Sequence, residues 1–197
     1  KRWYRARTGI PEQKTKGNCT DPESRLMKDG ANHAWMQGYN AQLGVAGVPQ
    51  IIVAQDVVSE PNDKRQLSRM MRRVSQNVGE AELTLADAGY WKEQAVADQV
   101  EQGRDVLVPP DKGNRKENEP PAANAPQGAM ACWMRERLKS EAERARYRKR
   151  SGIVEPVFGW LKEGLGYRRF LLRGLKKVQG EWALMCTAVN MGKLYRY

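Results

Sequence analysis

A chain of 197 residues with a formal charge of +11 and a pI near 9.7 is long enough for one substantial core, and its charge selects a polyanionic partner. Cys19, Cys132 and Cys186 are odd in number, far apart and without CxxC spacing, so neither a disulfide framework nor a cysteine zinc site is suggested, and a reducing cytoplasm fits. No apolar run approaches a membrane span and no signal-peptide pattern appears. The chain begins Lys1-Arg2-Trp3 without an initiator Met, as a processed protein or a piece of a longer one would.

Residues 1–37 read as a polar, irregular N-terminal segment punctuated by Gly9, Pro11, Gly17, Pro22 and Gly30. Then the period changes. Tyr39, Ala41, Leu43 and Val45 alternate with Asn40, Gln42 and Gly44. After Gly47-Val48-Pro49 come Ile51-Ile52-Val53-Ala54, then Val57 and Val58. Two strands with a tight connection predict a β-hairpin. Asn62 is expected to cap a helix that carries Leu67, Met70, Met71 and Val74 and stops at Gly79. Leu83-Thr84-Leu85-Ala86 reads as a short buried strand, 91–102 as a helix ending at Gly103, and Val106-Leu107-Val108 as another strand. This order is α/β.

Residues 109–127 hold five prolines among Gly, Asn, Lys and Glu and read as a flexible linker or flap. The remainder is helical: 134 to about 150, then 153–163, then 178–195 with Val178, Trp182, Met185, Cys186 and Val189 on one face. Pro156 is expected in the first turn of its helix, where a missing N–H costs nothing.

Between residues 133 and 177, fourteen Lys and Arg face five Glu, a net of +9. One of those acids, Glu155, sits among Ile153, Val154, Val157 and Phe158, with Arg150 five residues before it and Lys162 seven after. A carboxylate in an apolar stretch beside a phosphate-binding surface is what metal-dependent phosphoryl transfer needs. Asp87 is the second candidate, at the end of an apolar strand and before a Gly-containing turn. Two such carboxylates supply hard oxygen ligands for divalent cations. His33, the single histidine, has no nucleophile pattern near it, and no GxGxxG or Walker A sequence occurs, which disfavours Ser-His, Cys-His and nucleoside-triphosphate chemistry.

Four segments occur in order: Gly38-Tyr39-Asn40-Ala41-Gln42, Ile51-Ile52-Val53-Ala54, Ala86-Asp87-Ala88-Gly89-Tyr90 and Val154-Glu155-Pro156-Val157-Phe158-Gly159. Together they resemble the DDE transposases of bacterial insertion sequences, and Gly-Tyr-Arg-Arg-Phe-Leu-Leu-Arg-Gly over 166–174 continues the likeness from about Asp21 to the C-terminus. The resemblance implies an RNase H-like fold, a mixed sheet flanked by helices, over a truncated catalytic domain at 38–197. Its basic helical part, 133–197, carries the catalytic Glu.

By that resemblance Asp87 is the second catalytic Asp and Glu155 the catalytic Glu, both ligands of Mg²⁺, or of Mn²⁺ in its place. Tyr147, Arg150, Glu155 and Lys162 resemble the Tyr-Arg-Glu-Lys signature of one branch, with one residue more than usual between Arg150 and Glu155. The family's first Asp belongs to an Asp-Gly-Thr-like first strand, which is not found here, and neither Asp21 nor Asp56 resembles a substitute. The chain therefore reads as a C-terminal fragment lacking that strand and inactive alone.

The implied activity is metal-dependent cleavage and strand transfer on double-stranded DNA, at element ends and target, by a nucleoid-associated homodimer. Tyr147, Arg150, Lys162, Arg168, Arg169 and Arg173 are the expected DNA contacts. A non-catalytic DNA-binding remnant and an RNase H-like host nuclease are the competing readings.

Overall fold

The computed structural model describes residues 17–28, 34–111 and 125–195. His33, the first sixteen residues and most of the Pro-rich stretch (112–124) lie outside them. The first described elements fall where irregular chain was expected. Strands β1 (Arg25–Lys28) and β2 (Trp35–Gly38) pair antiparallel, Arg25 opposite Gly38. Trp35 and Met36 are both exposed, so no inside–outside alternation marks the pair. A polar knot fixes it instead: buried Asp21 accepts the Tyr39 hydroxyl at 2.6 Å, and the Ser24 hydroxyl donates to the Asp21 carbonyl at 2.8 Å.

The alternation after Tyr39 becomes the expected hairpin, β3 (Asn40–Val45) antiparallel to β4 (Ile52–Val58) with Asn40 opposite Val58. Helix α1 (Leu67–Val78) buries Leu67, Met70 and Met71 and ends at Gly79, whose φ of 87° suits glycine. Its N-cap is Gln66, not Asn62. The preceding turn is diverted because Asp63 is held by side chains of β3.

β5 (Thr84–Leu85) runs parallel to β6 (Val106–Leu107), joined through a 3₁₀ turn (Ala88–Tyr90) and helix α2 (Glu93–Glu101). Helix α3 (Ala129–Lys139) lays Ala131 and Met134 on this unit, closing a core with Trp91, Val96, Val106, Leu107 and Val108.

The helix expected over 134–150 is two helices. Ser140 is extended (φ −61°, ψ 128°), and α4 (Glu141–Gly159) starts beyond it. α4 then runs on through Pro156, which lies near its end rather than in a first turn. Proline costs a helix interior one bond, to the carbonyl four residues back. That carbonyl, of Gly152, accepts the Gln50 side-chain amide at 2.7 Å instead. A π turn (Trp160–Gly164) and helix α5 (Leu175–Leu194) complete the chain.

α4 links two cores. Tyr147 packs against the first, while Val157 belongs to a second with Ile52, Val57, Leu161, Val178, Trp182, Cys186 and Val189. The expected mixed sheet is not seen among the described residues, whose strands form three separate two-stranded ladders. Side-chain amides from neighbouring helices cap β4 where another strand would pair. Asn190 both accepts from the Ile52 N–H (2.9 Å) and donates to its carbonyl (2.8 Å). Gln179 donates to the Val57 carbonyl and Asn77 to that of Val53. No described helix is long and apolar enough to cross a membrane.

Candidate functional site

Asp87 stands at the end of β5 as the N-cap of the 3₁₀ turn, and its Oδ1 accepts the Gly89 N–H at 2.7 Å. Gly89 lies close against two acid side chains. A Cβ on it would lie 2.8 Å from Asp87 Oδ1 and 3.2 Å from Asp63 Oδ2, so two carboxylates flank one small residue. Asp63 Oδ1 in turn accepts from Asn40 (2.6 Å) and Gln42 (2.7 Å) on β3. Buried Gln42 also accepts the Tyr90 hydroxyl through its Oε1, which ties the 3₁₀ turn back to the hairpin.

Helix α4 brings Tyr147 and Arg150 to this cluster. Burial pushes the Tyr90 phenol far up, the charges of Asp63 and Asp87 add to this, and the Arg150 cation opposes them. The Tyr147 phenol is likewise raised, first by burial; Arg150 pulls it down by charge and hydrogen bond, while Asp87 pushes it up. Both rings thus lie in the combined field of Asp87 and Arg150. Arg150 Nη2 reaches on to Glu155 Oε1 at 3.3 Å. Arg150 thus meets Glu155 directly and hydrogen-bonds Tyr147, a ring that also feels the charge of Asp87.

Glu155 is not enclosed by its apolar neighbours. Val157 is buried, whereas the Glu155 side chain is 62 % exposed beside Arg150. Ile153, Val154 and Val157, one and two residues away, point elsewhere on the helix, and only Phe158, three residues on, shares its face. Lys162 does not simply repeat the Glu155 face two turns on, because the helix widens first. The Leu165 N–H bonds to the Trp160 carbonyl, five residues back, at 2.9 Å. Lys162 Nζ lies 6.0 Å from the Phe158 ring centre.

The basic stretch pairs internally along much of its length. Arg137 and Arg146 share Asp105 and Glu143, Arg148 pairs with Glu141, and Arg168 with Glu163. Arg169, Arg173, Lys176 and Lys177 are exposed and form no ion pair among the described residues. These four lie close together at the start of α5 and in the loop before it, and Lys149 and Lys162 of the same stretch are likewise exposed.

Asp63 is the residue missed by sequence reasoning. The Pro-Asn-Asp run looks like helix-capping chemistry, and only the fold reveals that Asp63 faces Asn40 and Gln42. Asp56 has another commitment: it is buried beneath Arg69 and Arg73, with Arg73 Nε 3.2 Å from its Oδ2.

Asp87, Asp63 and Glu155 are hard-oxygen donors of the kind Mg²⁺ takes. Among the described residues, however, no three acidic, His or Cys side chains are arranged to hold a metal ion. Asp87 caps a turn, Glu155 meets Arg150, and one oxygen of Asp63 is taken by two amides. These residues do not by themselves fit a two-metal centre.

No curated protein and no solved structure matches the chain. Residues 114–195, under half of the chain, match the family model for the transposase DDE domain. The matched span includes α3, α4 and α5, hence Tyr147, Arg150, Glu155, Lys162 and the surplus cations, while Asp87 lies ahead of it. By this match, the C-terminal part of the chain is similar to the DDE domain of transposases.

Proposed function

We propose that the chain is the DNA-engaging portion of a DDE transposase of a bacterial insertion sequence, with an RNase H-like fold, and that it binds duplex DNA without cutting it. The observation that carries this reading is a coincidence of position. The span that matches the transposase DDE domain also holds the Arg150–Glu155 pair and Arg169, Arg173, Lys176 and Lys177, four exposed cations close together in the chain with no ion pair among the described residues. Asp87 and Glu155 are the carboxylates of the parent enzyme's centre in this reading, with Arg150 paired to Glu155. Tyr147, Arg150, Lys162, Arg168, Arg169 and Arg173 face the DNA backbone, where cations fix register and supply most of the affinity.

The commitment of each carboxylate to a protein donor favours the variant of this reading in which the isolated chain is a non-catalytic binder. Its test is a nicking and strand-transfer assay on supercoiled plasmid and element-end duplex with millimolar Mg²⁺ or Mn²⁺. The expected result is retention of DNA without nicks. Fusing an Asp-Gly-Thr-containing first strand ahead of the chain should return cleavage, and Glu155→Gln should remove it again while leaving binding intact. Metal-dependent cleavage by the short chain itself, lost on Asp87→Asn, would refute the non-catalytic assignment, and its loss on Asp63→Asn as well would point to Asp63 as a further acid of the centre.

A further inference from the structure

We infer that the loop between Gly166 and Gly174 is a DNA wedge, in which Leu171 and Leu172 enter a base step while Arg169 and Arg173 hold the flanking phosphates. The loop is bounded by two glycines with φ of 67° and 84°, backbone conformations that disfavour other residues. Its inner side is anchored: Tyr167 stacks on Trp182 with ring centres 6.2 Å apart, and Phe170 meets the same indole edge-on at 6.1 Å. Its tip is held by one carboxylate. Glu181 accepts the Leu171 N–H at 2.8 Å and the Leu172 N–H at 3.0 Å, and Glu23 accepts the Leu175 N–H at 2.9 Å just beyond.

A backbone this constrained nevertheless presents Leu171 at 74 % and Leu172 at 48 % exposure. Single exposed leucines need no explanation. Here two adjacent ones sit on a pinned tip, between Arg168 and Arg169 on one side and Arg173, Lys176 and Lys177 on the other. Duplex DNA supplies both complements at once, phosphates for the cations and an apolar base step for the leucines. Apolar side chains wedged between base pairs unstack them and bend the helix. The inference rests on the DNA-binding reading above and adds to it a point of insertion.

The test uses the whole chain and a short duplex carrying 2-aminopurine at one position at a time, whose fluorescence rises on unstacking. Wild type should raise it at one step. The Leu171→Ala/Leu172→Ala variant should lose that rise and bind roughly tenfold more weakly, as the smaller buried apolar area implies, with its salt dependence unchanged. Leu171→Phe/Leu172→Phe should retain the signal. Arg169→Ala/Arg173→Ala should instead lower the slope of log affinity against log salt by about 0.9 for each phosphate no longer neutralised. Salt-dependent binding by wild type with no fluorescence rise at any position would overturn the wedge and leave the DNA-binding reading standing. No duplex binding at all would overturn both. A leucine variant that changes oligomeric state in sizing chromatography but not DNA affinity would overturn the wedge and assign the tip to an interface between copies.

Discussion

The Gln50 side-chain amide donates to the Gly152 carbonyl at 2.7 Å, filling the bond that Pro156 has no N–H to make. Residues about a hundred positions apart thereby let α4 pass through a proline and carry Arg150 and Glu155 on the same helix. Gln50 is itself fastened, since Lys193 Nζ donates to its carbonyl at 2.6 Å. Gln50→Ala should cost about 1 kcal/mol, the usual net worth of one such bond. Pro156→Ala restores a backbone donor for Gly152, so the same Gln50→Ala change should cost less in that background. Urea denaturation of the four proteins measures the coupling; strictly additive effects would show that the two residues act independently.

Asp105 is the anchor of α4's first half. Burial pushes its carboxyl up, but hydrogen bonds and charge from Arg137 and Arg146 outweigh this and hold it below the usual range. Arg137 Nη2 lies 2.6 Å and Arg146 Nη2 2.7 Å from its two oxygens. A carboxyl depressed in the folded state contributes stability above its unfolded pKa and loses it as pH falls through the folded one. Thermal unfolding should therefore show stability falling as pH drops below about 4, the ordinary Asp range, and Asp105→Asn should lower stability at neutral pH while flattening that part of the profile. An unchanged acid slope in the variant would remove Asp105 from the account.

The field around Arg150 has a spectroscopic signature. Its cation lowers the titration of Tyr147 against the upward push of burial and of Asp87. Arg150→Ala should move the Tyr147 phenol to higher pH, and Asp87→Asn should move it to lower pH. Both shifts are readable by NMR with labelled tyrosine and a Tyr147→Phe control for assignment. Shifts in the same direction for both variants would mean that the two charges do not meet at this ring.

What the sequence made legible follows the reach of each signal. The alternation from Tyr39 to Val45 depends on neighbouring residues, and it forms β3 paired with β4. The stop at Gly79 is equally local and is found where expected. Asn62 failed as a cap because its neighbour Asp63 is claimed by Asn40 and Gln42, more than twenty residues away. The partner that replaces the donor missing at Pro156 comes from distant Gln50, and the β1–β2 pair is tied by buried Asp21 rather than by an apolar face. In the site, Arg150 and Glu155 stand five residues apart, a spacing that marks no helical pair, so their contact is seen only in the fold. The apolar residues around Glu155 suggested enclosure, which its exposed position on α4 does not give. Asp63 had no local mark at all.

The salt dependence of duplex affinity, followed by fluorescence anisotropy, bears most directly on the central claim that the cations from Lys162 to Lys177 engage DNA. For the intact chain, log affinity should fall linearly with log salt, at about 0.9 per phosphate contact. Replacing Arg169, Arg173, Lys176 and Lys177 with Ala should flatten that slope in proportion to the phosphates they neutralise, with circular dichroism unchanged because all four side chains are exposed. An affinity indifferent to salt, or a slope the four replacements leave intact, would contradict the claim.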